Sequence, residues 1–250
     1  MNCAKALGVL LVVLMMSQPG WGAEDAKPAW TGQISVGWTS TSGNTSTDNK
    51  SLSFSGERRT EKGRLSGGAD FARGRQTNPA TGTKITTEDW FRSLAKYDHF
   101  FSPKWYGFVN GRYETDKIAL LDSRTLLGGG AGHQLIDRDE THFSVEAGLA
   151  SQREKYATTP ASSKSEITGQ VGYKFDHQIV ETVKFVHDLT YFPSTDDVSD
   201  YYLTTTAELR ANFTKSMFGT FKTIFSRDTS PAAGRGNSDV KYILGVGIGF

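Results

Sequence analysis

The chain has 250 residues, 28 of them basic and 27 acidic, and a single cysteine, Cys3. Near-neutrality without a basic excess argues against nucleic-acid binding, and a lone thiol excludes a disulfide framework and thiolate metal sites. Sparse Pro, frequent Gly, many Thr, Ser and aromatic residues and few helix-like runs point to an all-β protein.

Lys5, the apolar run Ala6 to Met16 and the small residues up to Gly22 and Ala23 predict a cleaved secretory signal peptide over residues 1–22. The run is too short for a spanning helix, which needs about 20 residues. Cleavage removes Cys3 and Lys5, so the mature chain balances at 27 charges of each sign. Residues 23–29 then form a short periplasmic segment, and residues 30–250 carry the fold.

From Trp30 onward the chain alternates with the period of a strand, in which successive side chains point to opposite faces. The first strand, Trp30 to about Ser40, places Trp30, Gly32, Ile34, Val36 and Trp38 on one face. The turn residues 42–49 lead to a second strand with Leu52, Phe54 and Gly56 against Ser51, Ser53 and Ser55. Leu65, Gly67, Ala69 and Phe71 form the apolar face of the third strand. A loop is expected from about Gly74 to Thr87, then a fourth strand with Phe91, Ser93, Ala95 and Tyr97 against Arg92, Leu94, Lys96 and Asp98. The fifth sets Trp105, Gly107, Val109, Gly111 and Tyr113 against Asn110, Arg112 and Glu114. The sixth is the Gly-rich run Leu126 to Gln134. A turn symmetric about Arg138 would pair Leu127 with Leu149 and point glycines 128, 130 and 132 inward.

The seventh strand sets Phe143, Val145, Ala147 and Leu149 against Ser144, Glu146 and Gln152, and a polar loop follows from Arg153 to about Ser163. The eighth carries Ile167, Gly169, Val171, Tyr173 and Phe175 outward. The ninth sets Val183, Phe185, Leu189 and Tyr191 against Lys184, Val186, Asp188 and Thr190. The tenth sets Tyr201, Leu203, Ala207, Leu209 and Ala211 against Thr204, Thr206, Glu208 and Arg210, and the eleventh Met217, Gly219, Phe221 and Phe225 against Thr220, Lys222 and Ser226. After a loop from Arg227 to Asn237, the last strand runs from Val240 to Phe250 with every even position apolar.

These features predict a transmembrane antiparallel β-barrel of about twelve strands, each about ten residues long, the length a tilted strand needs to cross a bilayer. The outward sets hold no Lys, Arg, Asp or Glu; His187 is the one doubtful outward residue. The connections after the third, seventh and eleventh strands read as long, and those after even-numbered strands as short, which places both termini in the periplasm. Trp30 and Trp38, Trp105 and Tyr113, and Tyr242 and Phe250 stand eight residues apart. That is about 26 Å along a strand and about 20 Å of height once tilted, close to the spacing of the two aromatic girdles of such barrels. A terminal Phe on the last strand resembles the signal read by the barrel-assembly machinery.

The chain also resembles the salt-induced outer-membrane protein family, which has no assigned function. The resemblance is carried by Ser42-Gly43-Asn44-Thr45, Lys96-Tyr97-Asp98, Lys104-Trp105-Tyr106, Arg112-Tyr113-Glu114 with Asp116-Lys117, Gly128–Gly132 with Leu135-Ile136-Asp137, Glu146-Ala147-Gly148, Arg227-Asp228 with Pro231, and the C-terminal strand. It implies a bacterial outer-membrane barrel in contact with lipid and lipopolysaccharide, and supplies no catalytic residues.

The Gly128–Gly132 run lacks the Lys-Ser or Lys-Thr and the following helix of a phosphate loop. His99, His133, His142, His177 and His187 show neither metal spacing nor an adjacent serine on the same face, so no cofactor, metal or catalytic site is expected. Asp196, Asp197 and Asp200 form an acidic loop, read as solvated. The functional candidates are the inward charges Arg92, Lys96, Arg112, Glu146, Lys184, Glu208, Arg210 and Lys222. They either line a narrow pore for small solutes or ions, the preferred reading, or pair across a closed structural barrel that supports the envelope under osmotic stress. The mature protein is expected to fractionate with outer membranes and to shift on a gel when heated; extraction with soluble periplasmic proteins would sink the barrel reading.

Overall fold

The computed structural model describes residues 30–42, 46–78 and 81–250; the predicted signal and the segment 23–29 lie outside the described residues. Twelve strands follow in chain order: β1 (Trp30–Thr41), β2 (Ser46–Arg59), β3 (Gly63–Thr77), β4 (Lys84–Phe100), β5 (Trp105–Asp116), β6 (Leu121–Arg138), β7 (Thr141–Tyr156), β8 (Ser162–Val180), β9 (Val183–Pro193), β10 (Tyr201–Asn212), β11 (Met217–Asp228) and β12 (Ser238–Gly249). Each pairs antiparallel with its sequence neighbours, and β1 pairs with β12, so the sheet closes into a barrel. At the closure Gly32 and Phe250 exchange backbone hydrogen bonds of 2.8 and 2.9 Å.

The alternation in the sequence is the inside–outside alternation of the wall. Ile34, Val36, Leu127, Leu149, Val171, Leu209, Leu244 and Val246 are exposed on the outside. Ser35, Ser53, Asp70, Gln134, Gln170, Thr204 and Lys222 are buried inside. This inverts a soluble sandwich, and the aromatic pairs Trp30/Trp38, Trp105/Tyr113 and Tyr242/Phe250 all face outward. The exposed outward charges Lys50, Arg73, Arg75, Arg153, Lys155 and Arg227 lie toward the end of the barrel away from the termini.

Two expectations are corrected. The strands run from 11 residues in β9 to 19 in β8, rather than about ten. The expected loops 74–87 and 153–163 are mostly strand: Gly74 to Thr77 pairs with Lys84 to Glu88, and Arg153 to Tyr156 with Ser162 to Ser165. These extensions are polar on both faces, so they satisfy the ladder without the apolar period that reveals a strand. The connections after β3 and β7 therefore shrink to residues 78–83 and 157–161, and the long one that persists is 229–237 after β11.

The second correction is register. The β6–β7 hairpin turns on Asp139 and Glu140, and a bulge lies between Gln134 and Ile136. Leu127 consequently faces Ser151, and Leu149 faces Gly129. The difference from the expected pairing is two residues, so parity survives and Gly128, Gly130 and Gly132 still point inward. At Gly132 the ring of Tyr106 occupies the space a Cβ would need, so a side chain there would collide with it.

Val246 lies midway between Tyr242 and Phe250 on the outer face. Val246→Arg is expected to cost about 2–4 kcal/mol, read from the urea midpoint of protein refolded in vesicles, whereas Val246→Leu leaves that midpoint nearly unchanged.

Candidate functional site: the charged lumen

All eight candidate residues sit at inward positions: Arg92 and Lys96 on β4, Arg112 on β5, Glu146 on β7, Lys184 on β9, Glu208 and Arg210 on β10, and Lys222 on β11. The register organises the inward charges further. Directly facing residues on consecutive strands run Asp70, Arg92, Glu114, Arg124, Glu154, Lys164. The sign alternates at every step from β3 to β8, so each of the four inner charges, Arg92, Glu114, Arg124 and Glu154, has opposite charges on both flanking strands.

The stripe is joined across the lumen at two levels. At mid-height Asp70 accepts from Arg92 Nε at 2.8 Å, Lys222 Nζ at 2.8 Å and Ser53 Oγ at 2.7 Å. Arg92 also reaches Thr206 Oγ1 at 3.3 Å. Arg92 is on β4 and Thr206 on β10, diametrically opposite in a ring of twelve. Beside them, Glu208 accepts from Gln33 and Thr220 and lies 3.6 Å from Lys222, while Arg210 donates to Gln33.

Nearer the far end, Arg124 contacts three carboxylates. It donates to Glu154 at 2.5 Å and to Asp228 on β11, and stands 3.5 Å from Glu114. Its guanidinium lies 3.9 Å over the ring of Tyr202, whose hydroxyl donates to Glu114 at 2.8 Å. Arg112 supports Glu114 from below at 3.5 Å. Lys241 on β12 meets Asp116 on β5 at 2.9 Å. Glu154 is 1 % exposed and Arg124 5 %, so the ion pair at the heart of this level is buried.

Toward the terminal end the contacts follow the wall. Asp98 binds Arg64 at 2.7 Å and Lys96 at 2.9 Å, and Glu146 takes Lys96 and the Tyr106 hydroxyl. Lys184 pairs with Asp176 at 2.7 Å. Lys174, inward on neighbouring β8, is exposed, so the lumen is open to solvent here. At the far end a small cleft, partly open to solvent, lies under residues 231–237 and is lined by Trp90, Arg92, Glu114, Arg124, Ile224 and Lys241 among others. Ala232 of the connecting loop is buried against Leu121 and Tyr156.

Sequence reasoning did not single out Arg124, Glu154 or Asp228, which tie the upper level together. Glu154 and Asp228 fall in stretches read as loop and Arg124 just ahead of the sixth strand as read; carrying the strand parity two residues further at each end would have turned them inward. His187 does face outward, among Tyr173 and Phe185. Both ring nitrogens have partners, Tyr173 Oη at 3.0 Å and Thr205 Oγ1 at 3.2 Å. Thr205 donates its own proton to the Asp188 carbonyl at 2.7 Å, so Nε2–H donates to Thr205 Oγ1 and Nδ1 accepts from the Tyr173 hydroxyl, which leaves both ring nitrogens engaged. In the acidic loop Asp200 is partly desolvated, which raises its carboxyl, but hydrogen bonds from Lys164 and Ser230 prevail and hold it below the usual carboxylate range.

The family described as "Protein of unknown function, DUF481" matches residues 34–250. Among solved structures, the NanC porin is similar with a TM-score of 0.51 and 10% identity, over 86% of this chain and 98% of that one. The translocator domain of the autotransporter NalP from Neisseria meningitidis gives 0.46 at 12% identity, over 98% and 93%. The KdgM porin gives 0.41 at 12%, over 89% and 99%. At such identity the NanC likeness bears on the fold, a closed barrel of the outer-membrane type. No curated protein matches in sequence.

Removing one partner of a buried ionic cluster leaves the others unpaired, at a cost of about 3–5 kcal/mol. Arg124→Met, which strands Glu114, Glu154 and Asp228, is expected to lose that much in a urea titration. Lys117→Met, at an exposed pair with Asp89, is expected to lose less than about 1 kcal/mol.

Proposed function

We propose that this chain, which belongs to the family of proteins of unknown function DUF481, works in the bacterial outer membrane as a barrel closed at rest by its own lumenal charges. The observation that carries this reading is the bridge from Arg92 on β4 to Thr206 on β10, anchored by Asp70 and Lys222. Twelve strands lie between the filled barrels of about eight and the water channels of sixteen or more, so side chains decide. Here long cationic side chains reach across from one wall to the other, and the groups they meet are buried.

The eight inward residues are then the components of a gate, and the same charges would set selectivity for small ions or solutes whenever it yields. The exposure of Lys174 and the open cleft at the far end support this second, pore-forming reading. A non-enzymatic role is part of the proposal, because the outward His187 is engaged as described. The exposed basic residues Lys50, Arg73, Arg75, Arg153, Lys155 and Arg227 would meet lipopolysaccharide phosphates beyond the apolar band. That assigns the end carrying the termini to the periplasm, with Phe250 available to the assembly machinery.

Planar-bilayer recording of the refolded mature protein tests the closed state. The wild type is expected to be silent at low voltage, with Arg92→Ala and Arg210→Ala showing unitary steps. Steady wild-type conductance that neither substitution alters would overturn the proposal.

A further inference from the structure

The barrel closes unevenly. β1 and β12 share only four register pairs, ending at Val36↔Val246, whereas the next shortest partnership, β8 with β9, has nine. Both strands continue beyond that point. β1 stays paired with β2 as far as Thr41, and β12 stays paired with β11 up to Ser238. Among the described residues, 37–41 and 238–245 thus form a seam without a mutual ladder. Had the ladder continued, Trp38 would face Leu244; instead these two side chains are 74% and 70% exposed.

What lies behind the seam differs from the rest of the lumen. Among the inner positions of the seam, Gly37 and Gly245 carry no side chains, Ile243 is apolar and buried, and Thr39, Thr41, Asp239 and Lys241 are polar and lie nearer the cleft. Inside them Ala72, Trp90, Ile224 and Ile243 form a buried apolar cluster that joins β11 and β12 to β3 and β4 past the small inward residues of β1 and β2. Trp90 and Ile224 also line the cleft at the far end, whose polar wall includes Arg92, Lys241 and Asp239. An apolar surface therefore stands between an interrupted ladder and a charged cleft.

We propose that the β1–β12 seam opens laterally and admits the acyl chain of a membrane amphiphile, with the chain against Trp90, Ile224 and Ile243 and the polar head in the cleft. This rests on the membrane placement proposed above. The argument for an acyl chain is threefold. The flanking outer residues Trp38 and Tyr242 belong to an aromatic girdle with Leu244 on the apolar wall just inside it, the inner cluster is apolar, and the unpaired strand edges offer backbone donors and acceptors to an ester or amide linkage. Separating this seam breaks fewer ladder hydrogen bonds than separating any other pair of strands.

Trp90 is the inward tryptophan, while Trp30, Trp38 and Trp105 face outward, so fluorescence can distinguish the two environments. The protein is reconstituted in phosphatidylcholine vesicles with brominated acyl chains, as the wild type and as a variant carrying Trp21→Phe, Trp30→Phe, Trp38→Phe and Trp105→Phe. Quenching of Trp90 in that variant is the expected result. Joining Ser40→Cys to Tyr242→Cys with a short bis-maleimide is expected to abolish it. Quenching of the wild type without quenching of Trp90 overturns the proposal, as does quenching that survives the cross-link. Absence of quenching in the wild type too would instead refute the membrane placement.

Discussion

The wall of this barrel is held in register by one row of charges. Asp70, Arg92, Glu114, Arg124, Glu154 and Lys164 face one another across five successive strand pairs, with the sign alternating at each step. A slip of one residue would turn a strand's charges outward into hydrocarbon, at about 2–4 kcal/mol for each Arg or Lys near the midplane. A slip of two would preserve the apolar exterior, so hydrophobicity cannot prevent it. The charge row can. Moved by two, Arg92 would face Ala72 or Gly68 instead of Asp70. Parity is thus specified by lipid and register by electrostatics, and each removes an error the other tolerates.

The same charges decide what the interior can be. A ring of twelve strands encloses more space than short side chains can fill, and this sequence responds with long ones. Arg92, Arg124, Lys222 and Lys241 extend toward groups four to six strands away around the ring. Gly128 and Gly132 thin the opposite wall so that Tyr106, Asn110 and Gln170 can occupy it, and Gly130 and Gly148 let the β6 and β7 backbones approach closely. Buried ion pairs recover their desolvation cost only when geometry and hydrogen bonds are complete. At the upper level Tyr202 and Tyr156 complete them by donating to Glu114 and Glu154. The closure is a property of side chains laid on a backbone that would otherwise leave a channel.

Much of this was legible in the sequence, and the limits have physical causes. The period of two, enforced by a greasy exterior and a wet interior, located all twelve strands and the inward direction of every candidate residue. It failed where that contrast ends. Lys84 to Thr87 and Arg153 to Tyr156 lie in strands whose outer face is polar, so they read as loop, and Arg124, Glu154 and Asp228 were lost with their neighbours. The β6–β7 register was misjudged because the hairpin turns on Asp139 and Glu140 rather than about Arg138, and the bulge near Leu135, a backbone event with no side-chain signature, takes back one of the three residues of that shift. Nor could the bridging of Arg92 to Thr206 be read, since it joins residues 114 positions apart that share no pairing.

The two ends of the chain set where this closed barrel is weakest. From β6 to β8 the ladders are the longest in the molecule, sixteen pairs on each side of β7, and the charge row runs through them. Between β1 and β12 four pairs suffice, and no ion pair links the two strands among the described residues. Local opening follows the distribution of hydrogen bonds and buried contacts rather than the average stability. Axial opening requires several cross-lumen ion pairs to separate together, each leaving charge exposed to a narrow, water-poor space. Lateral opening requires only a few ladder bonds at one seam and the parting of an apolar cluster. A lumen spanned by ion pairs and a seam backed by an apolar cluster therefore differ in what opening them breaks: buried charge pairs along the axis, and a few ladder bonds with apolar contacts at the wall.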